Sequence, residues 1–278
     1  METDSRSMVI SDLDGTLLNR ERRISRRDRK TLHLLARRGI VRVVATGRSL
    51  YSVHRVLPPD FPIDYLVFSS GAGIMAWPGQ DLLCSHSLGR REIQRVFSVL
   101  SARKLNFMVH RPIPDNHEFL YFRNNSGNPD FLARLRLYRQ FAAPGQPGVL
   151  DWEEACQFLA VVYPEASVAL VAELCRELSP LQVIRTTSPL DMSSTWLEIF
   201  PPQVSKSQAG AWLAERLHIG RDAVMAVGND YNDHDLLHWA GSGFVVANAP
   251  GELRRHLPSV ASHRKSGFSE AVKRWLQA

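Results

Sequence analysis

Short apolar runs alternate with amphipathic stretches along the first 70 residues of the chain. Residues 8–10, 40–44 and 65–68 are apolar runs of strand length, with one arginine in the second. Residues 25–39 carry spaced leucines, begin at a serine with an acidic residue three positions later, and end at a glycine. That pattern predicts a capped helix. The order strand, helix, strand favours a parallel sheet.

The same alternation returns toward the carboxyl end of the chain. Residues 196–200 and 223–227 are apolar strand candidates. Helical stretches follow them, at residues 205–217 and 236–239. Together, the two ends of the chain predict an α/β domain with a Rossmann-like parallel sheet.

The middle of the chain, between about residue 83 and residue 190, has a different character. It contains short apolar runs at 105–109, 119–122, 158–163 and 182–184, and helical stretches at 92–103, 131–141 and 168–178. This mixture predicts an inserted α+β domain. We therefore place the core in residues 1–82 and 191–278 and the insert in residues 83–190. The loop at residues 142–148 is interpreted as a connection within the insert.

Composition limits the class of protein. The 278 residues, of which 44% are hydrophobic, are enough for about two globular domains. Cys84, Cys156 and Cys175 are widely spaced and lack metal-ligand spacing, which indicates a reducing compartment rather than a disulfide framework. The first seven residues are polar, without the apolar stretch of a signal peptide, and Pro164 and Glu165 interrupt the longest later apolar stretch. We expect a cytoplasmic protein with no membrane partner.

The formal net charge of +6 changes this picture little. The densest basic cluster, at residues 20–30, has the pattern of a solvated helix face and lacks interleaved aromatic residues. We therefore expect no nucleic-acid partner. A modest basic excess suits a small anionic substrate through electrostatic steering.

Two carboxylates stand where the first apolar run ends. Asp12 and Asp14 are two residues apart, so in an extended segment their side chains point to the same side, and Gly15 breaks the strand directly after them. Two crowded carboxylates repel each other unless a cation lies between them, and Mg2+ is the usual hard cation with oxygen ligands. An ordinary Asp/Gly turn that closes a strand would show the same short pattern.

Other predicted elements bring polar groups to the same edge of the sheet, because the carboxyl ends of parallel strands gather ligands there. Thr46 and Gly47 follow the second strand, and residues 228–233 form an Asn/Asp cluster after a late strand. Lys206 falls in the first turn of a helix, where it opposes the helix dipole and hints at an anion nearby. An exposed lysine and an Asx-rich turn in which Asp233 caps a helix would also fit.

These groups together suit phosphoryl transfer. One carboxylate can be the nucleophile and form an aspartyl phosphate. The other can protonate the leaving alkoxide and then deprotonate water. Mg2+ and the lysine can neutralise the charge on the phosphoryl oxygens.

The order and spacing of four segments resemble the haloacid dehalogenase-like superfamily of phosphohydrolases. The segments are those around Asp12, Thr46, Lys206 and Asp233. Residues 45–48 and 245–250, together with the large insert, resemble the Cof-type branch of that superfamily, and the similarity covers nearly the whole chain. The resemblance implies a catalytic parallel-sheet core and an inserted α/β cap that sets substrate specificity.

The resemblance implies a catalytic and metal-binding group of residues. Asp12 would be the nucleophile and a metal ligand. Asp14 would be the acid and base, and its main-chain carbonyl would bind Mg2+. Asn229 occupies the position of a further metal ligand, and Asp233 would orient the water shell of the metal.

The resemblance also implies a phosphate-binding group. Thr46 and Gly47 would hold the phosphate through a hydroxyl and a backbone amide. Lys206 would pair with the phosphate, and Asn232 would contact it. Arg48 has no settled role, since it could reach the substrate or brace the core against the cap.

The chain departs from the family pattern at two positions. Where the branch usually reads Gly-Asp-x-x-Asn-Asp, this chain has Asn229, a neutral amide in place of a carboxylate. Amide oxygen still binds hard cations, but with one charge fewer we expect weaker Mg2+ binding, and Asp230 could compensate. Ser70 replaces a common asparagine after the third strand, which could alter either the hinge or the phosphate surroundings.

We therefore expect a Mg2+-dependent phosphatase of a small phosphorylated metabolite, with a sugar phosphate as the favoured class. A narrow biosynthetic phosphatase, of the sucrose-phosphate or mannosyl-3-phosphoglycerate type, would share this architecture. A sugar-phosphate sensor with little turnover is an alternative of another class, although the intact pair of Asp12 and Asp14 favours catalysis. The sequence fixes neither the oligomeric state nor the polar residues of the insert that would meet a substrate. These candidates are His110, Arg111, Asp115, Asn116, His117, Tyr121 and Arg123.

Overall fold

The apolar runs of the sequence form strands that assemble into separate sheets. The computed structural model describes residues 6–125, 127–146 and 148–277. The strands are, in chain order, β1 (Met8–Asp12), β2 (Val41–Ala45), β3 (Tyr65–Phe68), β4 (Gly73–Ala76), β5 (Asp81–Ser85), β6 (Leu88–Gly89), β7 (Phe107–His110), β8 (Phe119–Phe122), β9 (Ala142–Pro144), β10 (Glu154–Ala155), β11 (Gln157–Val162), β12 (Gln182–Thr187), β13 (Thr195–Phe200), β14 (Val224–Gly228), β15 (Ser242–Val246) and β16 (Ser259–Val260).

Helices connect these strands. They are α1 (Arg26–Arg37), α2 (Leu50–His54), α3 (Arg90–Ala102), α4 (Pro129–Leu137), α5 (Pro164–Leu178), α6 (Lys206–Arg216), α7 (His234–Trp239), α8 (Gly251–His256) and α9 (Gly267–Trp275). Short 3-10 turns lie at Ser69–Gly71, Arg221–Ala223, Tyr231–Asp233 and His263–Lys265. Within the described part of the chain, none of the helices combines the length and apolar character needed to cross a membrane.

The first unit of the structure is built on an eight-stranded sheet with β1 near its centre. The strand order is β16-β15-β14-β1-β2-β3-β4-β5. Each neighbouring pair from β16 to β3 is parallel, and β4 runs antiparallel to β3. The chain passes from β1 to β3 on one side and returns through β14 on the other, so the strand order reverses beside β1. In such sheets ligands bind at the carboxyl ends of the strands at this point. The predicted parallel α/β fold is confirmed.

Helix α1 has the predicted capped start. The Ser25 hydroxyl accepts the N–H of Asp28, and the buried Asp28 carboxylate accepts hydrogen bonds from Ser25 and from the backbone and hydroxyl of Ser269. The inner leucines of the helix are buried, whereas the basic residues at 20–30 are mostly exposed. The basic cluster therefore lies largely on a solvated surface, as predicted.

The second unit is built on a six-stranded sheet in the order β12-β13-β11-β7-β8-β9. The pairs are antiparallel except for β8 with β9. One face packs against α3 and α5, and α4 covers part of the other face, so each face carries its own hydrophobic cluster. This combination gives the α+β character predicted for the insert.

The division between the units differs from the predicted one at residue 190. The first unit comprises the chain up to Arg48, residues 52–84 and the chain from Ser205, and the second comprises residues 49–51 and 85–204. The prediction assigned residues 191–204 to the core because an apolar strand lies there. In the structure that strand, β13, lies between β11 and β12, and all of its residues are buried. A strand buried on both faces has no alternation to show which sheet it joins.

The ends of some helices and strands also differ from the predicted ones. Helix α2 ends at His54, and turns then lead into two prolines. Helix α4 ends at Leu137 rather than near residue 141. The loop predicted at residues 142–148 contains β9, because residues 142–144 pair with β8 and form the edge of the sheet; Pro147 lies outside the described residues.

A buried histidine on β7 should make the stability of the protein depend on pH. His110 donates its Nδ1–H to the carbonyl of Asn116. Burial, and then the nearby Arg134 guanidinium, lowers the pKa of His110 to about 3. The unfolded chain binds a proton on this histidine below about pH 6.5, so the free energy of unfolding falls as the pH drops from there toward 3. The slope is about 1.4 kcal/mol per pH unit.

We expect His110→Asn, which does not titrate, to lose less stability on acidification than the parent in urea unfolding from neutral pH down to about pH 4. The exposed His33 provides a matched control, and His33→Asn should behave as the parent does. Equal pH dependence in the parent and in His110→Asn would contradict this account.

Candidate active site

A buried lysine joins two carboxylates at the carboxyl ends of β1 and β14. Lys206 Nζ lies 2.7 Å from Asp12 Oδ1 and 2.6 Å from Asp233 Oδ1. Lys206 is 1% exposed, Asp12 6% and Asp233 not at all. Helix α6 places the lysine there, since Ser205 caps the helix by accepting the N–H of Gln208 and Lys206 is its first residue. The predicted proximity of Asp12 and Lys206 is thus present in the structure.

Asp12 and Lys206 affect each other's ionisation, and the charge of Asp233 acts on both. Burial alone would favour a neutral Lys206, but the carboxylates of Asp12 and Asp233 outweigh it and raise the lysine pKa above its usual range. Burial raises the pKa of Asp12 to about 7, against the opposing effect of Lys206, and the charges of Asp233 and Asp14 add to the rise. Lys206 therefore remains an ammonium ion, and added positive charge near Asp12 would favour its carboxylate form.

Asp14 has a different environment from Asp12. Its side chain is 40% exposed, and Arg48 binds it in a bidentate ion pair, with Nε 2.6 Å from Oδ2 and Nη2 2.7 Å from Oδ1. Arg48 is held in turn by Ser52, whose hydroxyl accepts a bond of 2.8 Å from Nη1. The guanidinium therefore fixes the orientation of the Asp14 carboxylate. The sequence leaves the role of Arg48 open, although it places this basic residue just after β2, the strand beside the acidic end of β1.

Small polar groups gather at the ends of β2 and β3. The buried Thr46 hydroxyl accepts the N–H of Arg48 at 3.2 Å. A side chain at Gly47 would lie 3.4 Å from Ser70 Oγ and 3.8 Å from Asn232 Nδ2, so this glycine lies close to a hydroxyl and an amide. Donors from β2, the turn after β3 and the turn after β14 are thereby brought together. Such a set of hydroxyl and amide donors suits a phosphate.

Two glycines allow the loops of the site to approach closely. Gly71 has φ +108°, and a side chain there would overlap the carbonyl oxygen of Ser205 at the start of α6. A side chain at Gly228 would overlap the carboxylate of Asp233. Glycine is therefore required where the turn after β3 meets α6 and where Asp233 covers the end of β14.

The carboxylate of Asp233 accepts three hydrogen bonds from the protein. Oδ1 accepts from Lys206, and Oδ2 accepts the backbone N–H groups of Asn229 at 2.8 Å and Asp230 at 3.0 Å. Both oxygens have protein partners, so the side chain is placed to hold the lysine and the loop. The role implied by the resemblance, orientation of the metal's water shell, stays a prediction.

The side chain of Asn229 lies against the ends of the nucleophile segment. One terminal atom of its amide lies 2.9 Å from Asp12 Oδ2, 3.0 Å from the Asp14 carbonyl oxygen and 3.0 Å from Thr16 Oγ1. Which amide atom takes this position, oxygen or nitrogen, is decided by its hydrogen-bond partners. The side chain of Asn229 therefore lies against both Asp12 and Asp14, and its role as a metal ligand stays a prediction.

The residues around Asp12 fit a hard divalent cation if the amide oxygen of Asn229 faces them. Carboxylate, main-chain carbonyl and amide oxygens are the ligand types that Mg2+ accepts, and adjacent ligands of an octahedral Mg2+ are about 2.9 Å apart. In the described part of the chain, no three side chains of His, Cys, Asp or Glu could together hold a metal. A divalent cation here would therefore depend on Asn229 and on the Asp14 carbonyl.

Known proteins resemble this chain over nearly its whole length. The family model described as haloacid dehalogenase-like hydrolase matches residues 9–271. The HMP-PP phosphatase of Cronobacter sakazakii is 27% identical over 274 residues, covering 95% of this chain and 94% of that protein.

Solved structures share the fold over nearly the full length. BT1666 of Bacteroides thetaiotaomicron, described among phosphatases of the haloalkanoate superfamily, has a TM-score of 0.76 at 20% identity and covers 98% of this chain and 96% of that one. BT4131, described as a subclass IIB sugar phosphatase, has a TM-score of 0.74 at 16% identity, with 97% and 98% covered. At these identities the likeness shows the fold.

Replacing one carboxylate of the buried ion-pair group should destabilise the protein. In Asp233→Asn the Lys206 ammonium loses one of its two anionic partners, and breaking a buried pair costs about 3–5 kcal/mol. We expect a drop of this order in the free energy of unfolding, measured with urea at neutral pH. Asp60→Asn, which removes an exposed carboxylate from the same unit, should change it by less than about 0.5 kcal/mol. Equal stability of the two variants would contradict a structural role for Asp233.

Proposed function

The chain belongs to the haloacid dehalogenase-like hydrolase family, and on that premise we propose that it is a Mg2+-dependent phosphatase of a small phosphorylated metabolite. The observation that carries the proposal is the buried Asp12 carboxylate, held 2.7 Å from the Lys206 ammonium. Beside it stands the more exposed carboxylate of Asp14. A carboxylate nucleophile with a second, accessible carboxyl group beside it supplies the two groups that hydrolysis through an aspartyl phosphate uses.

The reaction that we propose has two chemical steps. A carboxylate oxygen of Asp12 forms a bond to phosphorus while the bond from phosphorus to the leaving oxygen breaks, and Asp14 donates a proton to that oxygen. Asp14 then takes a proton from water, whose oxygen attacks phosphorus and releases Asp12 and inorganic phosphate. The bidentate contact of Arg48 would keep the Asp14 carboxyl group oriented in both steps.

The phosphoryl group would be held by cationic and neutral donors. The Lys206 ammonium would balance charge on the phosphoryl oxygens. Thr46, Gly47 and Asn232 would supply hydroxyl, backbone and amide donors, consistent with the close approach of Gly47 to Asn232. Ser70, buried beside Gly47, is a further donor that sequence reasoning treated only as a departure from the family pattern.

The metal-binding residues in this proposal are Asp12, the main-chain carbonyl of Asp14, and Asn229. When bound, Mg2+ would supply positive charge to the nucleophile and to the transferring phosphoryl group. Asp233 acts as a positioning residue, because both of its oxygens already hold Lys206 and the backbone of the loop. Asp230 contributes its backbone N–H to this arrangement.

Sugar phosphates are the substrate class that we favour. The name of BT4131 as a sugar phosphatase supports this class, whereas the name HMP-PP phosphatase of a similar protein points to another small phosphorylated compound. A narrow biosynthetic phosphatase, of the sucrose-phosphate or mannosyl-3-phosphoglycerate type, is the alternative within enzymes. A low-turnover sugar-phosphate sensor is the alternative outside them, and the neutral residue at Asn229 is its motivation.

A substrate screen with a nucleophile variant tests the proposal. We expect the parent to hydrolyse a generic aryl phosphate only with Mg2+, and to prefer sugar phosphates in a panel with polyol phosphates, nucleotides, phosphoglycerate derivatives and HMP-PP. Asp12→Asn should lose about a thousandfold or more in kcat/KM. Retained phosphate binding without turnover by the parent would support the sensor, and full activity in Asp12→Asn would show another nucleophile.

The choice of leaving group tests the role of Asp14. An aryl leaving group needs no proton, so Asp14→Asn should still form the aspartyl phosphate from an aryl phosphate but hydrolyse it slowly. Rapid mixing should then show a burst of one phenolate per enzyme molecule, followed by steady turnover reduced about 10²–10⁴-fold. With a sugar phosphate the same variant should show no burst. Asp60→Asn is the charge control, and equal losses for both substrates without a burst would contradict the acid–base role.

A further inference from the structure

The side chain of Asn229 lies among oxygen atoms that a carboxylate at this position could not donate to. Its amide places one terminal atom within 3.0 Å of three oxygens, namely Asp12 Oδ2, the Asp14 carbonyl oxygen and Thr16 Oγ1. If that atom is oxygen, acceptors face it at hydrogen-bond distance and only the Thr16 hydroxyl can donate to it. If it is nitrogen, it donates to these oxygens and the contacts become favourable.

The two orientations therefore match two states of the site. With the nitrogen inward, the amide supplies the positive end of a dipole to the oxygens of Asp12 and Asp14, and no cation is needed between them. With the oxygen inward, the same atoms form a set of oxygen ligands that requires a cation. An aspartate at this position has only the second option, because an ionised carboxylate cannot donate.

We propose that the Asn229 amide is a built-in occupant of the Mg2+ site. In the metal-free protein its N–H groups donate to Asp12 and to the Asp14 carbonyl. When Mg2+ binds, the amide rotates by half a turn and presents its oxygen. This inference rests on the Mg2+ site of the proposed function. It adds a competition between an internal donor and the cation for the same oxygens.

The surroundings of Asn229 allow the amide to turn without moving the backbone. Its own N–H is fixed to Asp233 Oδ2 at 2.8 Å. On the side away from Asp12, Gly15 has φ +80°, and a side chain there would come within 2.9 Å of the other terminal atom of the amide. The hydroxyl of Thr16 can donate or accept, so it can bond to either amide atom.

The proposal has one consequence for the stability of the metal-free protein and another for the affinity of the site for Mg2+. Because the amide satisfies the oxygens of Asp12 and Asp14, the site should be stable without a cation. Because Mg2+ must displace those hydrogen bonds and gains one charged ligand fewer, its binding should be weaker than with aspartate at this position. Asn229→Asp should reverse both effects, giving a less stable metal-free protein that binds Mg2+ more tightly.

Nuclear magnetic resonance of the parent protein tests the rotation of the Asn229 amide directly. In protein treated with a chelator, the side-chain NH2 of Asn229, assigned by its absence in Asn229→Asp, should exchange slowly with water because it is hydrogen-bonded. Saturating Mg2+ should shift this resonance and speed its exchange, whereas the NH2 of Asn19 should not change. An Asn229 NH2 signal that is insensitive to Mg2+, or that exchanges freely before Mg2+ is added, would overturn the proposal.

Titration calorimetry and thermal unfolding test the competition. Asn229→Asp should bind Mg2+ at least about tenfold more tightly than the parent, unfold at a lower temperature without metal, and gain more from Mg2+. Asn19→Asp, the same change of charge at a residue whose side-chain oxygen only accepts the N–H of Arg23, should match the parent. Equal Mg2+ affinity in Asn229→Asp and the parent would overturn the proposal.

These measurements separate the inference from the proposed function, since neither needs turnover. Mg2+ binding with the predicted change at Asn229, but without hydrolysis of any phosphate ester, would overturn only the phosphatase. Hydrolysis with an unchanged Asn229 amide would overturn only the inference.

Discussion

The site depends on the ion pairs that the buried Lys206 ammonium makes with two carboxylates. Lys206 is the first residue of α6, and it lies between carboxylates from the ends of β1 and β14. A buried charge is tolerated only when it is paired and hydrogen-bonded. The three elements must therefore meet at this point for Lys206 to be buried at all, and the same meeting brings the candidate nucleophile, Asp12, next to a fixed positive charge.

The loops around this ion pair are shaped by close backbone approaches. Gly71 lets the turn after β3 touch the start of α6, and Gly228 lets Asp233 fold back over the end of β14. Asp233 then holds two backbone N–H groups of its own loop as well as Lys206. Close backbone approaches and hydrogen bonds to the backbone thus help to fix the positions of Lys206 and Asp233, which favours electrostatic preorganisation.

The sequence predicted those parts of this arrangement that follow from strand ends. Asp12 and Thr46 could be assigned to one edge because parallel strands present their carboxyl ends together, and Lys206 could be expected near an anion because it opposes the dipole of its helix. The ion pair of Arg48 with Asp14 and the engagement of Asp233 could not be predicted, since they depend on which side chains meet after the loops fold. The membership of β13 in the second sheet was missed for a related reason: a strand buried on both faces carries no pattern that names its neighbours.

The asparagine at position 229 changes the net charge of the site. The carboxylates of Asp12, Asp14 and Asp233 face the cations of Lys206 and Arg48, so the described ion pairs leave one negative charge in excess when all are ionised. Aspartate at position 229 would double that excess. With asparagine, a divalent cation would turn the site net positive, which favours a phosphate dianion as the next ligand. With Asn229 the metal-free site therefore has less excess negative charge for a cation to balance. The cation-bound site is at the same time more attractive to an anionic substrate.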